Sequence, residues 1–233
     1  MVYQYTQKEK IIMGLINSIS NISFAPTVFL IKYYEKVLPY YRGYFSMMVS
    51  ILYHIGESLD IKIFLEQLKW HELDNIGAIY AFTQMSIPLT RFRHDKNYIL
   101  KKNYLSFFMV LLFQQRGPWE LINTFMPLII DFSIAIFQVI KYGMPEYNKK
   151  TLIKACIFIS ISLIFFFKGL DDLNDYLRIW HCLWHLSVGL SSLYLIQIQE
   201  KRFISYKEII YIHFGLMKIE KEEYTVVDLT VTN

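Results

Sequence analysis

The chain has 233 residues, of which 54% are hydrophobic and 19% charged, whereas soluble domains run at about 45–50% apolar and about 25% charged. That balance excludes a disordered chain, and a net charge of +4 with no basic stripe leaves no nucleic acid among the expected partners. The two cysteines, Cys156 and Cys182, lie in apolar runs and offer neither a disulfide framework nor a thiolate metal cluster.

Taken in chain order, the stretches without charge mark the elements. Ile11 to Ile31 carries no charge, and as a helix it spans roughly 30 Å, one hydrocarbon thickness. Val37 to Gly56 is interrupted only by Arg42 near its start. Asn75 to Thr90 is uncharged but carries Gln84 and several hydroxyls. Asn103 to Gln115 is apolar and short. Trp119 to Ile140 holds Asp131 in its interior. Ala155 to Phe167 lies between Lys154 and Lys168, and Ile179 to Gln199 is again uncharged. None of these windows has the charged face that a soluble amphipathic helix needs. The fold class expected is all-α, an integral membrane bundle of seven helices. An aromatic content of 17% suits the two membrane interfaces.

The short loops alternate in sign. Lys32, Lys36 and Arg42 lie between the first and second runs, Arg91, Arg93, Lys96, Lys101 and Lys102 between the third and fourth, Lys141, Lys149, Lys150 and Lys154 between the fifth and sixth, and Lys201, Arg202 and Lys207 after the seventh. The loops between are acidic, with Glu57, Asp60, Glu66 and Glu72 on one and Asp171, Asp172 and Asp175 on another. The positive-inside rule then puts the N-terminus outside or in a lumen and the C-terminus inside. Residues 1–10 read as an N-terminal tail, 11–199 as the seven-helix domain, and 200–233 as an interfacial and extended tail. Asn17, Asn21 and Pro26 in the first apolar run, without a small-residue cleavage site, predict no signal peptide. The stretch Phe203 to Met217 suits an interface, and YTVVDLTV reads as an extended strand.

Chemistry concentrates on a few polar residues. His181 and His185, in IWHCLWH, are spaced i, i+4 and share a helix face, as two imidazoles must to hold one metal ion. His54 closes the second run in SILYHIGES, with Ser50 one turn earlier, and Asp74 opens the third in HELDNIGAIY. With seven crossings, the ends of runs two, three and seven that carry these residues all lie on the outer side. Without the fourth crossing, the seventh run would enter from the opposite side and the residues could not meet. Three neutral imidazoles plus a water is the donor set of a catalytic zinc with an open position. His54, His181 and His185 are therefore the expected metal ligands, with Asp74 the general base and Ser50 its support. His71, His94 and His213 are expected to be solvated, and Cys182 to be packing. Asp131, a carboxylate inside an apolar run, must face the bundle, a partner or a cavity.

These positions resemble the CREST superfamily of seven-span membrane proteins, marked by a Ser and His on span two, an Asp on span three and an HxxxH on span seven. Here they are Ser50 and His54, Asp74, and His181 with His185. The opening SISNISFAPTVFLIKYY, the SxxxHxxE run ending at Glu57 and Phe165 to Phe167 look most like the myomaker and GPI-cleaving phospholipase group. The resemblance covers roughly residues 14 to 198. It implies a three-histidine zinc site and, in enzymatic members, hydrolysis of lipid amides or esters.

The function expected is that of a zinc-dependent intramembrane hydrolase of a lipid amide or ester, with the lipid bilayer and a lipid substrate as partners. The alternative is a non-catalytic relative, either a fusion-type protein or an accessory subunit of a large membrane complex such as a respiratory assembly, with partner subunits on the C-terminal tail. The location expected is the endomembrane system or plasma membrane, with the mitochondrial inner membrane as the alternative.

Overall fold

The computed structural model describes residues 5–34, 37–171, 174–200 and 202–216. The strand expected at YTVVDLTV lies outside the described residues, as does Asp172. Among the described residues the chain is helical, with no strand longer than an isolated bridge between Ile63 and Leu65.

Helix α1 (Gln7–Ser20) starts at a capping box, in which Thr6 and Glu9 satisfy each other's backbone amides. It continues through a 3-10 turn (Asn21–Phe24) into α2 (Ala25–Tyr33), whose second residue is Pro26, a position where no helical amide donor is lost. Then come α3 (Val37–Leu59), α4 (Gln67–Gln84), α5 (Lys96–Arg116), α6 (Leu121–Tyr142), α7 (Lys149–Gly169), α8 (Ile179–Leu195) and a short α9 (Tyr206–His213). Each expected run corresponds to one of these helices, the first to α1 and α2 together. Among the described residues, three helical stretches are long and apolar enough to cross a membrane: Gln7–Tyr33, α6 and α7. Helix α8 carries no Asp, Glu, Lys or Arg but has only 17 residues. Helices α4 and α5 begin at Gln67 and Lys96, earlier than the uncharged windows suggested, because charged side chains at a helix end reach toward water without unwinding the backbone.

The faces are distributed as a lipid solvent requires. Along α1 and the 3-10 turn after it, Ile11, Leu15, Ile19 and Ile22 recur at helical spacing and are exposed, while Asn17, Ser20 and Asn21 are buried. Helices α6 and α7 likewise expose Ile129, Ile136, Phe137, Ile153, Ile157 and Ile164. With apolar residues outside and hydroxyls inside, the helices are held by close approach and polar contacts, because lipid gives no hydrophobic incentive for helices to associate. At the closest approach, a Cβ on Gly189 of α8 would lie 2.9 Å from the Ser23 backbone. Only glycine fits there. Ser23 Oγ donates to the His185 carbonyl at 2.8 Å across the same contact.

Asp131 on α6 is 1% exposed. Its Oδ1 accepts from Lys102 Nζ at 2.7 Å and from Ser106 Oγ at 2.8 Å, both on α5, and its Oδ2 accepts from Ser86 Oγ at 2.6 Å, just beyond α4. The carboxylate inside an apolar run is thus a three-way tie between helices. At the same end of the bundle, Arg93 forms a buried ion pair with Glu200. Helix α9 lays Ile209 into a cluster with Leu30, Leu193 and Ile204. Its own capping box has the Ser205 hydroxyl and amide donating to Glu208 at 2.7 and 2.8 Å, which holds that carboxyl below its ordinary range. His213, expected to be solvated, instead stacks on Phe29 with ring centroids 3.7 Å apart.

Candidate functional site

Helices α3 and α8 bring His54, His181 and His185 together, with one ring nitrogen from each within 4.8 Å of the others. His54 and His185 are 0% and 3% exposed. His54 Nε2 and His181 Nε2 are 3.3 Å apart. Two ligands of one tetrahedral zinc, each at about 2.0–2.1 Å, stand about 3.3 Å from each other.

Hydrogen bonds fix where the protons sit. The Ser20 hydroxyl donates to the Asn17 carbonyl at 2.7 Å, so its oxygen accepts from His185 Nδ1, 2.8 Å away. The carboxylate of Glu57 can only accept, and its Oε2 lies 3.4 Å from His54 Nδ1. Both rings therefore carry their proton on Nδ1 and leave Nε2 bare, and His54 turns that nitrogen to His181. Orientation of a ligating histidine through its far nitrogen is the usual companion of a metal site. Tyr53 donates to Glu57 Oε1 at 2.7 Å and steadies the acid.

The start of α8 is set by Asp175, which is fully buried. Its two oxygens accept from the backbone amides of Trp180 at 2.8 Å and His181 at 3.1 Å, two donors that have no intrahelical partner in a first turn. Burial raises its carboxyl above the ordinary range in spite of those bonds. Immediately before α8, Leu177 and Arg178 have φ of 55° and 59°, a conformation that costs side-chain-bearing residues about 1–3 kcal/mol each. From the other side, Gly169 at the end of α7 leaves room for the His181 backbone, which a Cβ would meet at 3.0 Å.

Asp74 and Ser50 lie within electrostatic reach of one another, and the Asp74 carboxylate also feels His54. Both line a cavity of about 510 Å³, together with His181 and His185. All five expected residues thus meet at one place. His71, expected to be solvated, is instead half-buried and stacked on Trp119, with centroids 3.6 Å apart and planes 7° from parallel. His94 is exposed, as expected. Cys182 is buried and donates to Asn17 Oδ1 at 3.3 Å, a packing role. Sequence reasoning missed Ser20 and Asp175 as supports of the histidines. Nothing local marks Ser20, which reaches His185 across 165 positions. An acidic residue shortly before a helix start was the available signal for Asp175.

Residues 9–186 match the family described as protein of unknown function (DUF3522). The chain belongs to the DUF3522 family. The DUF3522 match takes in Ser50, His54, Asp74, Asp131, His181 and His185 and stops short of α9. No curated protein matches the chain.

Proposed function

We propose that this protein is a seven-span integral membrane hydrolase that holds zinc through His54, His181 and His185 and cleaves a lipid amide or ester. The observation that carries the reading is the pair of imidazoles whose protons are drawn to Nδ1, leaving a bare nitrogen on each ring beside a third histidine. Zinc, when bound, would supply a water acidic enough to serve as nucleophile at neutral pH.

The chain's own residues do the rest. Asp74 accepts the proton of the attacking water and returns it to the leaving group. The Ser50 hydroxyl orients that carboxylate. Glu57 and Ser20 hold the rings of His54 and His185 in register. The cavity continues away from the histidines past Val28, Ile31, Met47 and Leu195, and this apolar stretch takes a lipid chain while keeping bulk water from the reacting carbonyl. The C-terminal segment on which the non-catalytic alternative leaned lies outside the described residues, and no other observation favours it.

The site requires the outer ends of α3, α4 and α8 to share one side of the membrane, with the N-terminus on that side. Single cysteines at Asn97 and Lys207 should then label from the same, inner face. Labelling from opposite faces would remove the topology and the site with it. Catalysis itself is tested by lipid turnover in Asp74→Asn, argued below.

A further inference from the structure

The cavity has a second polar end. Arg42 sits on α3, twelve residues before His54, which along a helix is about 18 Å. Its sequence position suggested only a charge at the inner rim. Lysines of the same rim, such as Lys96, Lys101, Lys141 and Lys150, are exposed, whereas Arg42 turns inward and lines the cavity.

Its guanidinium is braced from one side only. Nη1 donates to Asn103 Oδ1 at 3.1 Å, and the plane lies 4.6 Å from the centre of the Tyr80 ring. Tyr80 is itself fixed by donating to the Asn103 carbonyl at 3.1 Å. No carboxylate pairs with Arg42 among the described residues, and its Nε is buried without a hydrogen-bond partner. One turn beyond Tyr80 on the same face of α4, Gln84 also lines the cavity, and its Oε1 is buried and unpartnered. A half-buried cation without a counter-charge and a buried, unused acceptor are costly to keep. Both become satisfied by a head group that brings an anionic oxygen and a hydroxyl.

We propose that this inner end is a second ligand site, in which Arg42 and Gln84 take the oxyanion head of a single-chain anionic lipid whose chain runs up the apolar cavity toward the histidines. Carboxylate and phosphate monoester share the chemistry that Arg42 reads, through its planar fork of donors. A hydroxyl on the head donates to Gln84. Occupancy would exclude a second chain entering from the histidine end, so such a lipid would compete with substrate. The site needs no metal and stands apart from the hydrolase reading.

The test uses the full-length protein in phosphatidylcholine nanodiscs and measures binding of radiolabelled palmitate, lysophosphatidate and hexadecanol, three single chains with and without charge. Wild type should prefer at least one of the two anions over hexadecanol by about tenfold or more, and which anion wins identifies the head group. Arg42→Gln should abolish the preference and leave hexadecanol binding in place. Equal binding of all three lipids by wild type, or an unchanged preference in Arg42→Gln, overturns the proposal. His181→Ala should not alter the preference. If it does while Arg42→Gln is silent, the head lies at the histidine end, which refutes this site and leaves the hydrolase reading standing. An Arg42→Gln protein that also loses hexadecanol has lost the cavity, and Gln84→Leu then decides. It must weaken lysophosphatidate while sparing palmitate, and unchanged lysophosphatidate binding overturns the site.

Discussion

Asp74→Asn is expected to lower lipid turnover by roughly 10²–10⁴, the usual cost of losing a general base, while the protein keeps its fold and its metal. The substitution preserves size and leaves an amide oxygen able to accept from Ser50, so packing around α3 and α4 has no reason to change. What it removes is the group that takes the proton from the attacking water. Turnover by purified protein is to be followed on a panel of ceramide and phospholipid substrates, with metal content and thermal unfolding measured on the same samples. Wild-type turnover that Asp74→Asn leaves intact would remove the carboxylate from the mechanism. Loss of metal in the variant would make Asp74 a ligand instead of a base.

Asp131→Ala is expected to have the largest effect on stability. Lys102 is 5% exposed and Asp131 1%, and removing one partner of a buried ion pair typically costs about 3–5 kcal/mol because the other charge is stranded. Ser106 loses its acceptor in the same change, while Ser86 keeps the Thr83 carbonyl. For a chain of this length the shift in Tm should be on the order of 10 °C. The double substitution Lys102→Met with Asp131→Leu should recover most of the loss, since an apolar pair of similar volume is often neutral in place of a buried ion pair. A single variant that melts with wild type would show that the tie contributes nothing.

The helices were legible in the sequence because lipid-facing segments must omit charge, and the absence of charge over a helix length leaves little room for another reading. Their ends were less legible. Lys96, Lys101 and Lys102 read alike as loop charges, yet the structure exposes the first two and buries the third against Asp131. The partner is 29 positions away and on another helix, so only the packing of α5 on α6 reveals it. The same holds for Arg93, which read as part of a basic loop and is buried against Glu200.

The candidate site was legible where a spacing rule exists. His181 with His185, Ser50 with His54, and Asp74 at a helix start each follow from the 3.6-residue period plus the side of the membrane. Glu57, three residues after His54, has that spacing too and read only as a loop acid and the end of the SxxxHxxE run, although it faces His54 Nδ1. Ser20 has no such signature. His71 was misread because a histidine at a span entrance ordinarily meets water, and nothing local announces that Trp119, 48 positions later, will cover it.

The central claim is that three histidines from two helices hold one metal ion, and metal content tests it most directly. Protein purified without chelators should carry about one zinc per chain, and His181→Ala or His185→Ala should release it while the helical content is unchanged. A wild-type protein without metal after zinc supplementation, or full retention in the double variant, would contradict the account.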